Sequence, residues 1–237
     1  MKDTIFEMYK SISVGKNQIC LECNNEGALG KPLSIYFIGE NFKTSDDTIL
    51  FVGKTAIGGE GIGPFIDNLF TDGTEFGELS LDLKEEYATR RAFYSYTHDI
   101  VAQYYGSYEN GKKHIALTNL VKCNNASTND ETPPSVKQCC INDLQVIWKE
   151  IEILQPKRIV FYTGRNYDDY IDNFEPLNYF ECIDIVDDDP GCWWHRKFLD
   201  NNKNTICDFL RVFHPSRQGK EEFVSNVVDW LNETKTK

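Results

Sequence analysis

The chain has 237 residues, 41% of them hydrophobic, enough to bury one large core and with no compositional break that calls for a second domain. Its 25 Lys and Arg stand against 37 Asp and Glu, a net charge of −12, which repels phosphate in general and leaves nucleic-acid binding to a local basic patch. No apolar run reaches bilayer-spanning length, and Asp3 and Glu7 interrupt the start where a secretory signal is basic and then apolar. A cytoplasmic protein without membrane contact is therefore expected, and in a reducing compartment its eight cysteines read as thiols or metal ligands rather than disulfides.

In chain order, Ile5, Met8, Tyr9 and Ile12 fall at helical spacing and predict an amphipathic first helix. Cys20-Leu21-Glu22-Cys23 follows, a C-x-x-C pair suited to two corners of a tetrahedral thiolate site. The polar Asn24, Asn25 and Gly27 after it predict a loop, not the helix of a thioredoxin-like motif. Leu33 to Ile38 predicts a short peripheral strand. Thr48 to Thr55, TILFVGKT, predicts a buried strand breaking into the glycine-rich loop Ala56 to Gly63, with a helix from Pro64 to Phe70 behind it. Gly53-Lys54-Thr55 is not a phosphate loop, because the glycine that motif requires five positions before Gly53 is Thr48.

Arg90 to Tyr105 carries Phe93, Tyr94, Tyr96, Tyr104 and Tyr105 and predicts a helix covering the sheet; such stripes are core more often than base-stacking platform. His114 to Cys123, HIALTNLVKC, opens as a buried parallel strand and closes on Thr118, Asn119, Lys122 and Cys123, where an open α/β sheet has its ligand crevice. After a polar loop from Asn124 to Val136, Ile141, Leu144, Trp148, Ile151 and Leu154 trace one long helix stopped by Pro156. Arg158 to Gly164 is the next buried strand. Asp187-Asp188-Asp189 before Pro190 and Gly191 reads as a solvated turn. Trp193 to Phe198 and Thr205 to Phe213 predict a hairpin running into His214-Pro215-Ser216-Arg217, and Phe223, Val224, Val227, Val228 and Leu231 mark a closing helix. Strands alternating with helices predict a three-layer α/β/α sandwich with a central, mainly parallel sheet, a single domain over 1–237. Right-handed crossovers then bring the ends at Gly53 to Gly59, Asn119 to Cys123 and His214 to Arg217 to one edge.

A strand entering a glycine loop, TNLVKC, a helix ending in EIEILQPKRIVFYTG and a terminal strand ending in HPS resemble, in that order, the uracil-DNA glycosylase superfamily, and most closely its iron-sulfur branch. The resemblance covers about Cys20 to Leu231. It implies a uracil-DNA glycosylase-like fold, hydrolysis of the N-glycosidic bond of uracil or another altered base, DNA with that base flipped out as partner, and a 4Fe-4S cluster on Cys20, Cys23, Cys123 and Cys139. Cys140 is the alternative fourth ligand and zinc the alternative metal, since four thiolates serve either. A monomer is expected.

His214 resembles the family's catalytic His, which hydrogen-bonds the leaving base; on the residues alone, a His before Pro is read as satisfying a strand-end carbonyl. By the same resemblance Asn119 reads the base edge with its donor-acceptor pair, Thr55 and the backbone of Gly53, Lys54 and Ala56 hold the water, and Phe65 stands in for the stacking aromatic. Lys122, Ser216 and Arg217 contact phosphate. The chain departs from the family at Thr55, where an acidic residue, Asn or Ala is usual, at Ala56 in place of Pro, at Lys54 in place of Glu, and in the compressed segment Gly61 to Phe65. Catalytically lapsed glycosylase-fold proteins that bind nucleic acid or a protein partner are the alternative.

Overall fold

Two five-residue segments, Ile49–Gly53 and Ile115–Asn119, are buried at every position, as strands covered on both faces must be. A computed structural model describes residues 1–14, 17–25, 35, 37–55, 92–123, 132–172, 181–189, 193–199 and 205–235. Among these the elements run α1 (Lys2–Ser11), α2 (Gln18–Asn25), β1 (Phe37–Ile38), β2 (Ile49–Gly53), α3 (Ala92–Tyr105), α4 (Tyr108–Gly111), β3 (Ile115–Asn119), α5 (Pro134–Lys137), a π-helical segment (Gln138–Asp143) and α6 (Val146–Leu154). They continue with β4 (Arg158–Phe161), α7 (Asp168–Asp172), β5 (Glu181–Asp189), β6 (Trp193–Leu199), β7 (Thr205–Arg211) and α8 (Lys220–Glu233).

The sheet order is β1-β3-β2-β4-β7-β6-β5. Strands β3, β2, β4 and β7 form a parallel block, while β1 at one edge and β6 with β5 at the other run antiparallel to their neighbours. Side chains alternate across it: Leu50 and Val52 join Ile5, Tyr9, Ile147 and Ile151 of α1 and α6, whereas Ile49 and Phe51 join Ile100, Val101, Phe223 and Val227 of α3 and α8. The result is helix layers on both faces of a mixed, mainly parallel sheet. Each fully buried aliphatic side chain contributes about 1.5–3 kcal/mol to that assembly.

Several local expectations are corrected. Cys20 and Cys23 lie on α2, one helical turn apart, and not in a turn followed by loop. The single helix expected from Ile141 to Leu154 is two elements: a π turn, closed by the Leu144 amide donating to the Cys139 carbonyl at 2.9 Å, and α6, which starts only after Gln145 takes a left-handed φ of 56°. The i→i+5 turn takes in a residue that an α-helix cannot, so the apolar stripe before it and the stripe after it are out of phase. Asp187 to Asp189 belong to β5, not to a turn. The loop expected up to Val136 ends earlier, because Pro134 opens α5 at a first-turn position that tolerates its missing N–H. The helix expected at Pro64 to Phe70 lies outside the described residues.

Candidate functional site

Parallel pairing sets Gly53 directly beside Asn119. A Cβ on residue 53 would stand 2.5 Å from the Asn119 Oδ1 and 3.2 Å from Cε2 of Phe93, so glycine is what lets the carboxamide and the ring close over the strand end. Asn119 is 9% exposed. Phe93, at the start of α3, packs edge-on to Tyr162 with ring centroids 5.3 Å apart. It is a wall of this edge that the sequence does not single out, because it sits in a run of aromatics whose other members are core or helix surface.

Beyond the last paired residues the two strands stay joined. Leu120 and Val121 donate backbone N–H groups to the carbonyls of Gly53 and Lys54, each at 2.8 Å. The Thr55 hydroxyl donates to the Cys123 carbonyl at 2.7 Å. Its proton is therefore engaged by protein, and its oxygen lone pairs are what it offers to a water. The Lys54 ammonium lies 5.9 Å from the Tyr167 ring centroid. Ala56 and Phe65 lie outside the described residues.

His214 follows β7, the last strand of the parallel block, and so stands on the same edge of the sheet. Its Nδ1 accepts the Ser216 backbone N–H at 3.3 Å and lies 2.8 Å from the Ser216 hydroxyl, capping the turn Pro215–Arg217. An accepting Nδ1 puts the proton of a neutral imidazole on Nε2, which makes Nε2 a donor. Ser216 is thus bonded to His214.

Lys122 does not face solvent. Its side chain is 1% exposed and its ammonium lies 2.6 Å from both Glu150 Oε2 and the Thr118 hydroxyl. Thr118 also donates to Glu150 Oε2 at 2.9 Å. The other Glu150 oxygen accepts from the Tyr9 hydroxyl, which in turn accepts the Ile35 N–H at 2.8 Å. Burial, reinforced by the neighbouring Glu150 carboxylate, raises the Tyr9 pKa. The expected phosphate contact is replaced by an internal ion pair that pins α1 and α6 to the end of β3; a charge on the apolar face of α6, between Ile147 and Ile151, is the sequence signal that marks it.

The cysteines converge from α2, from Cys123 four residues past the β3 end, and from the π segment. Burial pushes the Cys23 thiol up, and Cys139, which is hydrogen-bonded to it, with Cys20 and Cys140 pushes it further. Burial likewise raises Cys123, as do Cys140, Cys20, Cys23 and Cys139 around it. Cys140 accepts the Lys122 backbone N–H at 3.4 Å; burial raises its thiol to about 11, opposed by that N–H and the Lys122 charge. All five are free thiols. As they stand, no three His, Cys, Asp or Glu side chains among the described residues form a set that could hold a metal ion: the thiols are gathered, not closed around a centre. Cys207 lies apart on β7, buried, with its Sγ donating to the Asp208 carbonyl at 3.5 Å.

Among the described residues no helix is long and apolar enough to cross a membrane. No protein-family model matches the chain, and no curated protein matches it.

Proposed function

We propose that the chain is a DNA glycosylase of the uracil-DNA glycosylase type, hydrolysing the N-glycosidic bond of uracil or another altered base flipped out of DNA. The observation that carries this reading is the Asn119 carboxamide laid over Gly53 beside the Phe93 ring, on the edge that also bears His214. Strand order separates Asn119 from His214 by three strand spacings, roughly 14 Å, and the reading requires their side chains to close that span to the width of one base.

In the reaction the bond between the base nitrogen and the sugar C1′ breaks with its electron pair passing to the base, while water adds to C1′ and releases a proton. Asn119 reads the base edge through its paired donor and acceptor. His214, with Nδ1 held by Ser216, presents Nε2–H to the base oxygen where negative charge gathers, a donor of a kind whose removal costs about 3–4 kcal/mol. The Thr55 oxygen orients the water. A hydroxyl does not take up the released proton as a carboxylate does, and this favours a second reading, a lapsed relative that binds nucleic acid or a protein partner without cutting it.

Cys20, Cys23, Cys123 and Cys139, with Cys140 beside them, fit a soft-metal site by donor chemistry, and they would hold a 4Fe-4S cluster or zinc. Bound there, the group supplies a cross-link between α2, the β3 end and the π segment.

Oligonucleotides carrying single modified bases, incubated with the protein and then cleaved by alkali, test the reading. Strand breaks at one modified base that vanish in His214→Ala and Asn119→Ala are expected. Silence across the panel overturns catalysis and leaves the binding reading.

A further inference from the structure

We propose that the groove between the β6–β7 hairpin and α8 is a binding site for a linear polyamine. The groove is a cavity of about 480 Å³. Trp193 packs edge-on to Phe223 on its wall, with ring centroids 5.6 Å apart, and Trp230 meets His195 edge-on at 5.5 Å. The rim is formed by exposed Glu222, Asp229 and Glu233, and among the described residues no Lys or Arg lines it. His195 is held by Asp208, whose Oδ1 lies 2.7 Å from its Nε2, so a carboxylate accompanies any charge on that ring.

The charges are arranged as well as concentrated. Glu222, Asn226, Asp229 and Glu233 recur at steps of four, three and four along α8 and so share one helix face. The rise per residue sets Glu222 and Asp229 about 10 Å apart along the axis, and Asp229 and Glu233 about 6 Å. Carboxylates that far apart do not converge on one small metal ion. They match ammonium groups repeated along an aliphatic chain, whose methylenes lie against the aromatic wall while each charge meets a carboxylate or a ring face. A basic peptide also brings backbone N–H and C=O groups that this largely aromatic wall leaves unpaired.

Calorimetric titration of the full chain with spermidine at fixed ionic strength is the test. Saturable binding is expected, weakened about tenfold in the triple variant Glu222→Gln, Asp229→Asn, Glu233→Gln. It should be unchanged in Asp3→Asn, Glu40→Gln, Glu109→Gln, which removes the same charge from exposed positions elsewhere. Absence of binding, equal weakening in both variants, or tighter binding of a lysine-rich peptide of the same charge overturns the proposal.

Discussion

Asn119 Oδ1 occupies the space where a side chain on Gly53 would begin, 2.5 Å from its Cβ position. Gly53→Ala therefore drives the methyl against the carboxamide on one side and Phe93 on the other. Urea unfolding should register a loss of about 1–3 kcal/mol, the usual cost of overpacking, and base excision should fall with it because Asn119 is displaced. An unchanged excision rate would separate Asn119 from the chemistry.

Removing Lys122 leaves Glu150, fully buried, without its counter-charge. Lys122→Met should cost about 3–5 kcal/mol, and replacing Lys122 and Glu150 together by apolar residues should recover much of that loss. Chemical denaturation of the single and double variants measures both. The salt dependence of DNA binding, read by fluorescence anisotropy, should be the same in the double variant as in the parent, because the ammonium is turned inward and neutralises no phosphate.

Metal content should divide the cysteines. Iron or zinc measured after anaerobic purification should drop in Cys20→Ser, Cys23→Ser and Cys123→Ser, and stay at parent level in Cys207→Ser, whose thiol is apart from the set. Of the adjacent pair, Cys139 hydrogen-bonds Cys23 whereas Cys140 accepts the Lys122 N–H. Cys139→Ser should therefore lose metal and Cys140→Ser should lose chiefly stability.

Acid should loosen α8 from α3. Asp99 lies 2.6 Å from Lys220; burial raises its pKa, but the hydrogen bonds and charges of Lys220 and His98 outweigh burial and hold it below the ordinary 3.8. A carboxyl group with a depressed folded pKa binds its proton more readily in the unfolded chain, so its contribution is present above that ordinary value and disappears as pH falls through the folded one. Thermal melts of the parent and Asp99→Asn should differ near neutrality and converge below that window. Both groups are about a third exposed, so the difference should be small and shrink with added salt.

Much of the scaffold is legible in the chain itself. TILFVGKT, HIALTN and RIVFYTG announce their strands because burial on two faces requires unbroken apolar runs, and Phe223, Val227 and Leu231 announce α8 because a one-sided helix requires a repeat near 3.6. The same logic puts Asn119 and His214 on one edge, since right-handed crossovers leave few alternatives. The fates of individual polar side chains are not written locally. Lys122 follows a strand end whether it faces phosphate or Glu150, and only the approach of α6 across β3 turned it inward. Phe93 is one aromatic among several until Gly53 provides a space without a side chain for it to enter. The π turn too is a tertiary outcome, because it sets Cys139 toward Cys23 and Cys140 toward Lys122, partners that are distant in sequence. Periodicity reports which face of an element is apolar, whereas the partner of a buried charge or thiol depends on what packs against that face.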